Sequence, residues 1–349
     1  MSRWTVLGLS RAELAERFAA LGQPAYRADQ VMRWVYRKDA RSFGEMTDLP
    51  ADLRQLLLRE AEIGRLEVAA VQRSADGSTA KLLLRLADGE MVETVLLHHD
   101  YGVSVCVSSQ VGCAMGCRFC ASTRGGLARN LTAGEMLAQV LEAQAAAEGR
   151  RVSHAVVMGM GEPLANLGEV LRFVRLLHAP EGFGMSYRNM TISTCGLVPG
   201  IERLAEENLP LTLAVSLHAP CDRLRSRLMP VNRRYPLSRL IPACAAYAER
   251  TGRRVTFEYA LIAGVNDGPG EARGLVRLLG GVLCHVNLIP FNEVPGSGFE
   301  RSSPDRVEEF RSILAEAGIP VTVRREMGTK IEAACGQLRR RAGKAGEPG

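Results

Sequence analysis

The sequence is poor in lysine: four (Lys38, Lys81, Lys330 and Lys344) stand against forty arginines. Arginine's planar fork suits phosphate recognition. In a chain also rich in Ala, Gly and Leu, however, the bias is first that of a GC-rich genome, so arginine content alone does not argue for a nucleic-acid partner. Apolar stretches of signal-peptide or membrane-spanning length are missing, which argues against a membrane protein and gives a cytoplasmic location as the expectation. Charge excess is small, +6 over 349 residues, as in ordinary soluble enzymes, and the length allows one large domain plus a smaller one. A second CxxC unit, with which structural zinc sites are usually built, is absent too. Nine cysteines in a reducing compartment then point to metal or catalysis more than to disulfides.

What the chain does have is one dense cysteine run, CVSSQVGCAMGCRFC, residues 106–120. Cys113, Cys117 and Cys120 place three thiolates on a short loop, which suits an iron–sulfur cluster with one iron free of protein ligands. An open coordination position is where metal-centred chemistry can occur. A structural zinc completed by a distant His or Cys is the alternative.

Around this run the chain reads as two blocks. The first ~65 residues have helical periodicity: Ser10 and Glu13 form a capping box before Leu14, Phe18 and Leu21, and Gly22 stops that helix. Val31, Trp34 and Val35, then Leu53, Leu56 and Leu57 after Pro50, give two more helices their apolar stripes. Asp76-Gly77 and Asp88-Gly89 predict two hairpins. Farther on, strands are predicted at 103–107, 154–158, 190–193, 211–216, 255–261 and 286–289, with a last one at 321–324. Helices such as 132–147, capped by Thr132 and Glu135, and 167–177 lie between them. The fold class is therefore α/β, a partial (β/α)6 barrel rather than the eight units of a full one, with a small N-terminal helical and β-hairpin accessory domain. The expected divisions are 1–98 for the accessory domain, 99–325 for the barrel and 326–349 for a C-terminal loop.

The chemically unusual residues fall at the C-terminal ends of the predicted strands. They are 113–120 after the first, GMGEPLAN (159–166) after the second and STCG (193–196) after the third. Ser216, Leu217 and His218 end the fourth, and Pro290, Phe291 and Asn292 the sixth. In parallel α/β folds that edge carries the active site. Cys106 should share a strand face with Ser104 and Ser108; its residues alone leave it either a buried structural thiol or a reactive one. Cys195, Cys221, Cys244 and Cys284 are expected to be buried and inert. Cys335, in EAACGQL beside Gly336, has the polar, flexible setting of an exposed, reactive thiol. Arg223, Arg225, Arg227, Arg233 and Arg234 crowd the loop after SLHAP with only Asp222 opposing, and Arg339, Arg340, Arg341 and Lys344 make a basic tail. Such patches either neutralise phosphates or are solvated faces.

CVSSQVGCxxxCxFC, MGMGEPLAN, STCG, SLHAP, LIPFN and IEAACGQL, in this order, resemble the RNA-methylating radical S-adenosylmethionine (SAM) family of RlmN and Cfr. The likeness spans nearly the whole chain, including RADQVMRWVY near the N-terminus. It implies a partial (β/α)6 radical SAM barrel with a 4Fe–4S cluster on Cys113, Cys117 and Cys120, the open iron being chelated by SAM's amino and carboxylate groups. It assigns Gly161 and Glu162 to SAM's methionine amino group, and Ser193, Ser216, Leu217, His218 and Asn292 to the rest of the SAM pocket. C2 of adenine is electron-poor and has no nucleophilic lone pair, so direct methyl transfer to it is unfavourable. The family's route uses two SAM per turnover. Cys335 takes a methyl from the first; the second yields a 5′-deoxyadenosyl radical that abstracts hydrogen from S-methyl-Cys335, and the resulting carbon radical adds to the adenine. Cys106 then resolves the protein–RNA adduct by forming a disulfide with Cys335. Glu93 matches the family's proton acceptor, and on its own reads equally well as a solvated strand carboxylate.

The implied reaction is C2 methylation of an adenosine in the peptidyl-transferase region of 23S rRNA, on naked rRNA or assembly intermediates, and in some members of the adenosine 3′ of the tRNA anticodon. An electron donor such as flavodoxin or ferredoxin, and a monomer, are expected. Two rivals stand beside it. Cfr-type C8 methylation of the same adenosine, which gives antibiotic resistance, has the same cysteines, but Pro163 and Pro290 resemble the C2 branch. A non-catalytic iron–sulfur RNA-binding protein would have no need of the SAM-pocket residues, and these are present.

Overall fold

The computed structural model describes residues 3–338; the basic tail of Arg339, Arg340, Arg341 and Lys344 lies outside them. The chain begins with β1 (Trp4–Thr5), α1 (Arg11–Ala20), α2 (Tyr26–Arg37), α3 (Ala51–Glu60) and β2 (Ala61–Glu62), which pairs with β1. The start of α1 is local chemistry: the Ser10 side chain accepts the Glu13 N–H while the Glu13 carboxylate accepts the Ser10 N–H. Leu14 and Phe18, Val31 and Val35, and Leu53 and Leu57 are buried, so the three predicted stripes face inward, into a hydrophobic core continuous with that of the barrel.

The accessory strands are β3 (Glu67–Arg73), β4 (Thr79–Arg85) and β5 (Met91–His99), an antiparallel meander that turns at both predicted Asp-Gly sites. After β6 (Gly102–Cys106) come β7 (Gln110–Gly112) and β8 (Leu127–Asn130), a hairpin absent from the sequence reading. The barrel continues as α4 (Ala133–Ala145), β9 (Val152–Val157), α5 (Leu167–His178), β10 (Met190–Thr194), α6 (Val198–Glu206) and β11 (Thr212–Ser216). It closes with α7 (Asp222–Leu228), α8 (Leu237–Thr251), β12 (Val255–Leu261), α9 (Pro269–Leu279), β13 (Cys284–Pro290), α10 (Pro304–Glu316) and β14 (Val321–Val323).

All but four of the strands join one ten-stranded sheet, ordered β14-β13-β12-β11-β10-β9-β6-β5-β4-β3. From β6 to β14 every neighbouring pair is parallel, which is the expected partial barrel with its extra last strand. β5, β4 and β3 extend it antiparallel, and residue 98, the expected division, lies inside β5. Directly paired residues share a sheet face. Lys81 pairs with Val95, Val95 with Cys106, and Cys106 with Val156, so one row of side chains crosses from the accessory meander into the barrel. On the opposite face Thr94 donates to Gln139 of α4 at 2.8 Å.

Two expectations about the segment after SLHAP need correction. The segment after SLHAP is the helix α7 rather than a loop, because Leu224 and Leu228, one turn apart, pack inward. Cys221 at its start is exposed, since a helix N-cap sits at the surface here, whereas Cys195, Cys244 and Cys284 are buried as expected. Among the described residues no helix is long and apolar enough to cross a membrane.

Candidate active site

The cysteine loop is held by its ends and by its own backbone. The β7–β8 hairpin closes it, the Cys113 N–H donates to the Gly126 carbonyl at 3.0 Å, and Thr123 Oγ1 donates to the carbonyls of Cys117 and Cys120. Cys113, Cys117 and Cys120 line one cavity of about 160 Å³, faced by Gly161, Glu162, Ser193, Ser216, His218 and Asn292. Of the predicted SAM-pocket residues, Leu217 alone does not line it; it is buried behind the wall, its N–H donating to the Glu258 carbonyl at 3.0 Å.

Burial pushes all three thiols up, Cys113 to about 11, and the charge of Cys120 adds to the effect at Cys113 and Cys117. Such a set becomes thiolate only around a strongly cationic centre. No three His, Cys, Asp or Glu side chains among the described residues stand close enough to hold one metal ion. Three sulfurs sharing a cavity fit a multi-iron cluster better than a single zinc, and the residues present fit that group.

The strand ends shape the opposite wall. Gly161 has φ +106°, and a Cβ there would lie 2.6 Å from the Gln110 Cβ, so the turn admits only glycine. The Glu162 carboxylate accepts N–H groups from Leu164 (3.0 Å) and Cys195 (2.7 Å). Burial raises its pKa, and these two bonds oppose the rise. His218 Nδ1 accepts the Ala260 N–H at 2.9 Å, so its proton sits on Nε2. Burial, helped by Arg225, lowers its pKa to about 3, which keeps it a neutral donor.

Arg225, expected among the surface arginines, is fully buried. Its guanidinium donates to the carbonyls of Cys195 (2.7 Å), Ser216 (3.0 Å) and Leu217 (3.2 Å) and to Asn232 Oδ1 (2.9 Å). It is a clamp on the ends of β10 and β11 and is not available to phosphate. Arg223, Arg227, Arg233 and Arg234 are exposed.

A second cavity, about 460 Å³, runs along the inner sheet face under Val95, Leu97, Ser104, Cys106 and Val156. That is within the range of small-ligand pockets. Cys335, Asn292 and Arg324 line both cavities, so Cys335 stands at their junction. Asn292 Nδ2 donates to the Cys335 carbonyl at 3.2 Å, and the Ala121 N–H donates to the Gly336 carbonyl at 2.8 Å. Cys106 and Cys335 are both free thiols, not a disulfide. Burial pushes the Cys106 thiol up to about 12, with Cys335 adding to it and Arg324 opposing. Ser104 shares the face of Cys106, but Ser108 lies past the strand end and donates instead to the Glu93 carbonyl at 2.8 Å.

Glu93 is not solvated: it is buried, with its carboxylate 3.2 Å from Lys81 Nζ, and it lines neither of these cavities. Glu258 and Arg324 line the cavity of the three cysteines and were missed by sequence reasoning, as was Lys81, which lines neither cavity and reaches the site only through Glu93 and Glu332. Arg324 directly follows β14, where the same positional rule applies, whereas Glu258 lies in the middle of β12, where it does not. Lys81 carried only the faint signal of a rare lysine inside an apolar strand.

A partial parallel barrel whose first strand end carries three cluster-ready cysteines, with Gly-Glu, Ser and His on the strand ends opposite, defines the radical SAM class. Residues 107–275 match the Radical SAM superfamily, and residues 5–63 match the ribosomal RNA large subunit methyltransferase N-terminal domain. The chain is 54% identical to the probable dual-specificity RNA methyltransferase RlmN of Symbiobacterium thermophilum, over 98% of this chain and 93% of that one. It is 59% identical to the probable dual-specificity RNA methyltransferase RlmN of Desulforudis audaxviator, over 88% and 96%. The crystal structure of a radical SAM methyltransferase from Sphaerobacter thermophilus superposes with a TM-score of 0.94 at 51% identity, covering 96% of this chain and 99% of that one. The chain belongs to the RlmN family.

Proposed function

We propose that this protein methylates C2 of an adenosine in the peptidyl-transferase region of 23S rRNA through S-methyl-Cys335, with the adenosine 3′ of the tRNA anticodon as a second target. The observation that carries the proposal is the position of Cys335, shared between the cavity of the three cluster cysteines and the larger cavity bearing Cys106. The relatives' names speak of dual-specificity RNA methyltransferases, which supports RNA as the substrate class. Pro163 and Pro290 favour C2 over C8. We place the enzyme in the cytoplasm as a monomer.

A 4Fe–4S cluster on Cys113, Cys117 and Cys120 and two SAM molecules per turnover, with electrons from a flavodoxin or ferredoxin, would supply the methyl group and a hydrogen-abstracting radical. The chain's own groups do the rest. Glu162, with two lone-pair sites used on N–H groups, has others for SAM's ammonium. His218 offers Nε2–H as a donor, and Ser193, Ser216 and Asn292 supply donors and acceptors. Cys335 accepts the methyl and carries its carbon to the adenine. Cys106 sulfur then attacks Cys335 sulfur: the S–S bond forms as the S–C bond breaks, and the released electron pair stays with the departing carbon, which takes a proton to become the methyl group. Before that attack the radical adduct loses the C2 proton to Glu93, and its remaining odd electron would pass back to the iron–sulfur cluster. External thiols reduce the disulfide before the next turnover.

The test is anaerobic reconstitution with SAM, reductant and unmodified 23S rRNA or tRNA, followed by digestion and mass spectrometry of methyladenosine isomers. 2-Methyladenosine is the expected product. 8-Methyladenosine would overturn the position, and SAM cleavage without any methylated RNA would overturn the substrate.

A further inference from the structure

Of the three lysines among the described residues, Lys38 and Lys330 are exposed and Lys81 is buried. Lys81 stands on β4 opposite Val95, on the sheet face that carries Cys106. Its Nζ lies 3.2 Å from the Glu93 carboxylate and donates to the Glu332 carbonyl at 3.1 Å. Glu332 is three residues before Cys335 and holds φ +51°, a left-handed conformation that non-glycine residues adopt only when their surroundings impose it. The same loop also presses on β4 farther along, since a Cβ on Gly328 would meet Thr79 Cγ2 at 2.9 Å. One ammonium thus touches both the strand of the proton acceptor and the loop of the methyl-carrying sulfur. A buried ion pair adds little net stability compared with well-packed apolar side chains. What it supplies well is position, and a lysine's compact charge with three donors can serve two acceptors at once.

We propose that Lys81 is a positioning residue that clasps the Cys335 loop and the Glu93 carboxylate together, holding that loop in register on β4 and β5 beside the larger cavity. The roles of Glu93 and Cys335 rest on the function proposed above; the clasp itself does not.

The experiment compares full-length wild type with Lys81→Met, which keeps an unbranched apolar stem and removes the ammonium. Hydrogen exchange in the protein without cofactors comes first. Amides of 326–338 should exchange about tenfold faster in the variant while α4 is unchanged; an unchanged loop overturns the clasp. In the reconstituted enzyme, mass spectrometry of the Cys335 peptide should show methylation at the wild-type rate. Release of methylated RNA from the protein–RNA adduct should slow by ~10- to 100-fold. Lys81→Met combined with Glu93→Gln should be no slower than Glu93→Gln alone, because the two residues act as a unit. Independent, multiplicative losses would overturn the coupling. If Lys81→Met does not fold, Lys81→Gln, one atom too short to reach both partners, carries the same exchange test with the same two outcomes. A wild type that forms no adduct would sink the proposed function, and the exchange result would still decide the clasp.

Discussion

The carboxylate of Glu162 accepts the backbone N–H of Cys195 at 2.7 Å, so the turn after β9 and the end of β10 share one side chain. Its other oxygen holds the Leu164 N–H at 3.0 Å. The residue assigned to SAM is therefore also a structural tie. An amide at this position has one oxygen for two N–H groups and must turn an NH2 toward the other. Glu162→Gln should cost ~1–3 kcal/mol in urea unfolding and weaken SAM binding as measured by calorimetry. Unchanged stability would show that the two backbone donors find other partners.

Arg225 and Arg223 lie two residues apart on α7 and should behave oppositely. Arg225→Met leaves three carbonyls and the Asn232 side chain without their donor, for a loss of ~3 kcal/mol or more. Arg223→Ala, at the surface, should stay within about 0.5 kcal/mol of wild type. If Arg223 meets RNA, its loss lowers affinity and makes the log–log salt slope shallower by about one. A stable Arg225→Met protein would sink the clamp.

Glu142 of α4 is a fully buried carboxylate that accepts Arg65 Nε at 2.7 Å and Arg41 Nη2 at 2.8 Å. Both arginines come from the N-terminal segment, so this group is one of the ties that hold it to the barrel. Glu142→Ala leaves the buried Arg65 guanidinium with Asp39 as its remaining carboxylate partner and should cost ~1–3 kcal/mol. Proteolysis should then cut the variant first between α2 and β3; cleavage spread evenly over the chain would argue against an anchoring role.

Glu13 joins α1 to α5 through Arg172. The Arg172 guanidinium, and then the Ser10 N–H, hold its carboxyl down to about 2, below the ordinary 4.5. A depressed carboxyl stabilises the fold fully above its unfolded value, and that contribution is lost as pH falls from about 4.5 toward 2. Both side chains are 39% exposed, so solvent screening holds the effect below ~1 kcal/mol. Thermal melts between pH 5 and pH 3 should show a smaller drop for Arg172→Met than for wild type; equal drops would assign the acid sensitivity elsewhere.

Much of this molecule is legible one residue at a time. Ser10 with Glu13, and Thr132 with Glu135, start their helices by contacts three residues apart. Asp-Gly pairs turn the meander, and apolar alternation lays out the parallel strands. Because parallel strands bring their ends to one edge, the cysteine run, Glu162, Ser193, Ser216, His218 and Asn292 could be placed at a single mouth from the order of the motifs. Leu217 shows the limit of that rule: between Ser216 and His218, which line the cavity, alternation along the chain sends it to the other side, into the core.

Partners distant in the chain could not be read this way. Nothing near Arg225 says that it points inward, because its acceptors are carbonyls on two other strand ends, exposed only when those strands stop side by side. Glu93 looks solvated until β4 sets Lys81 against it and the loop before Cys335 is laid over both. Local propensity and hydrogen bonding act over a few residues and leave their mark in spacing and composition. Burial and charge pairing depend on which faces meet after the sheet has assembled, and those forces decided where Cys106, Cys335, Glu93 and Lys81 stand relative to one another.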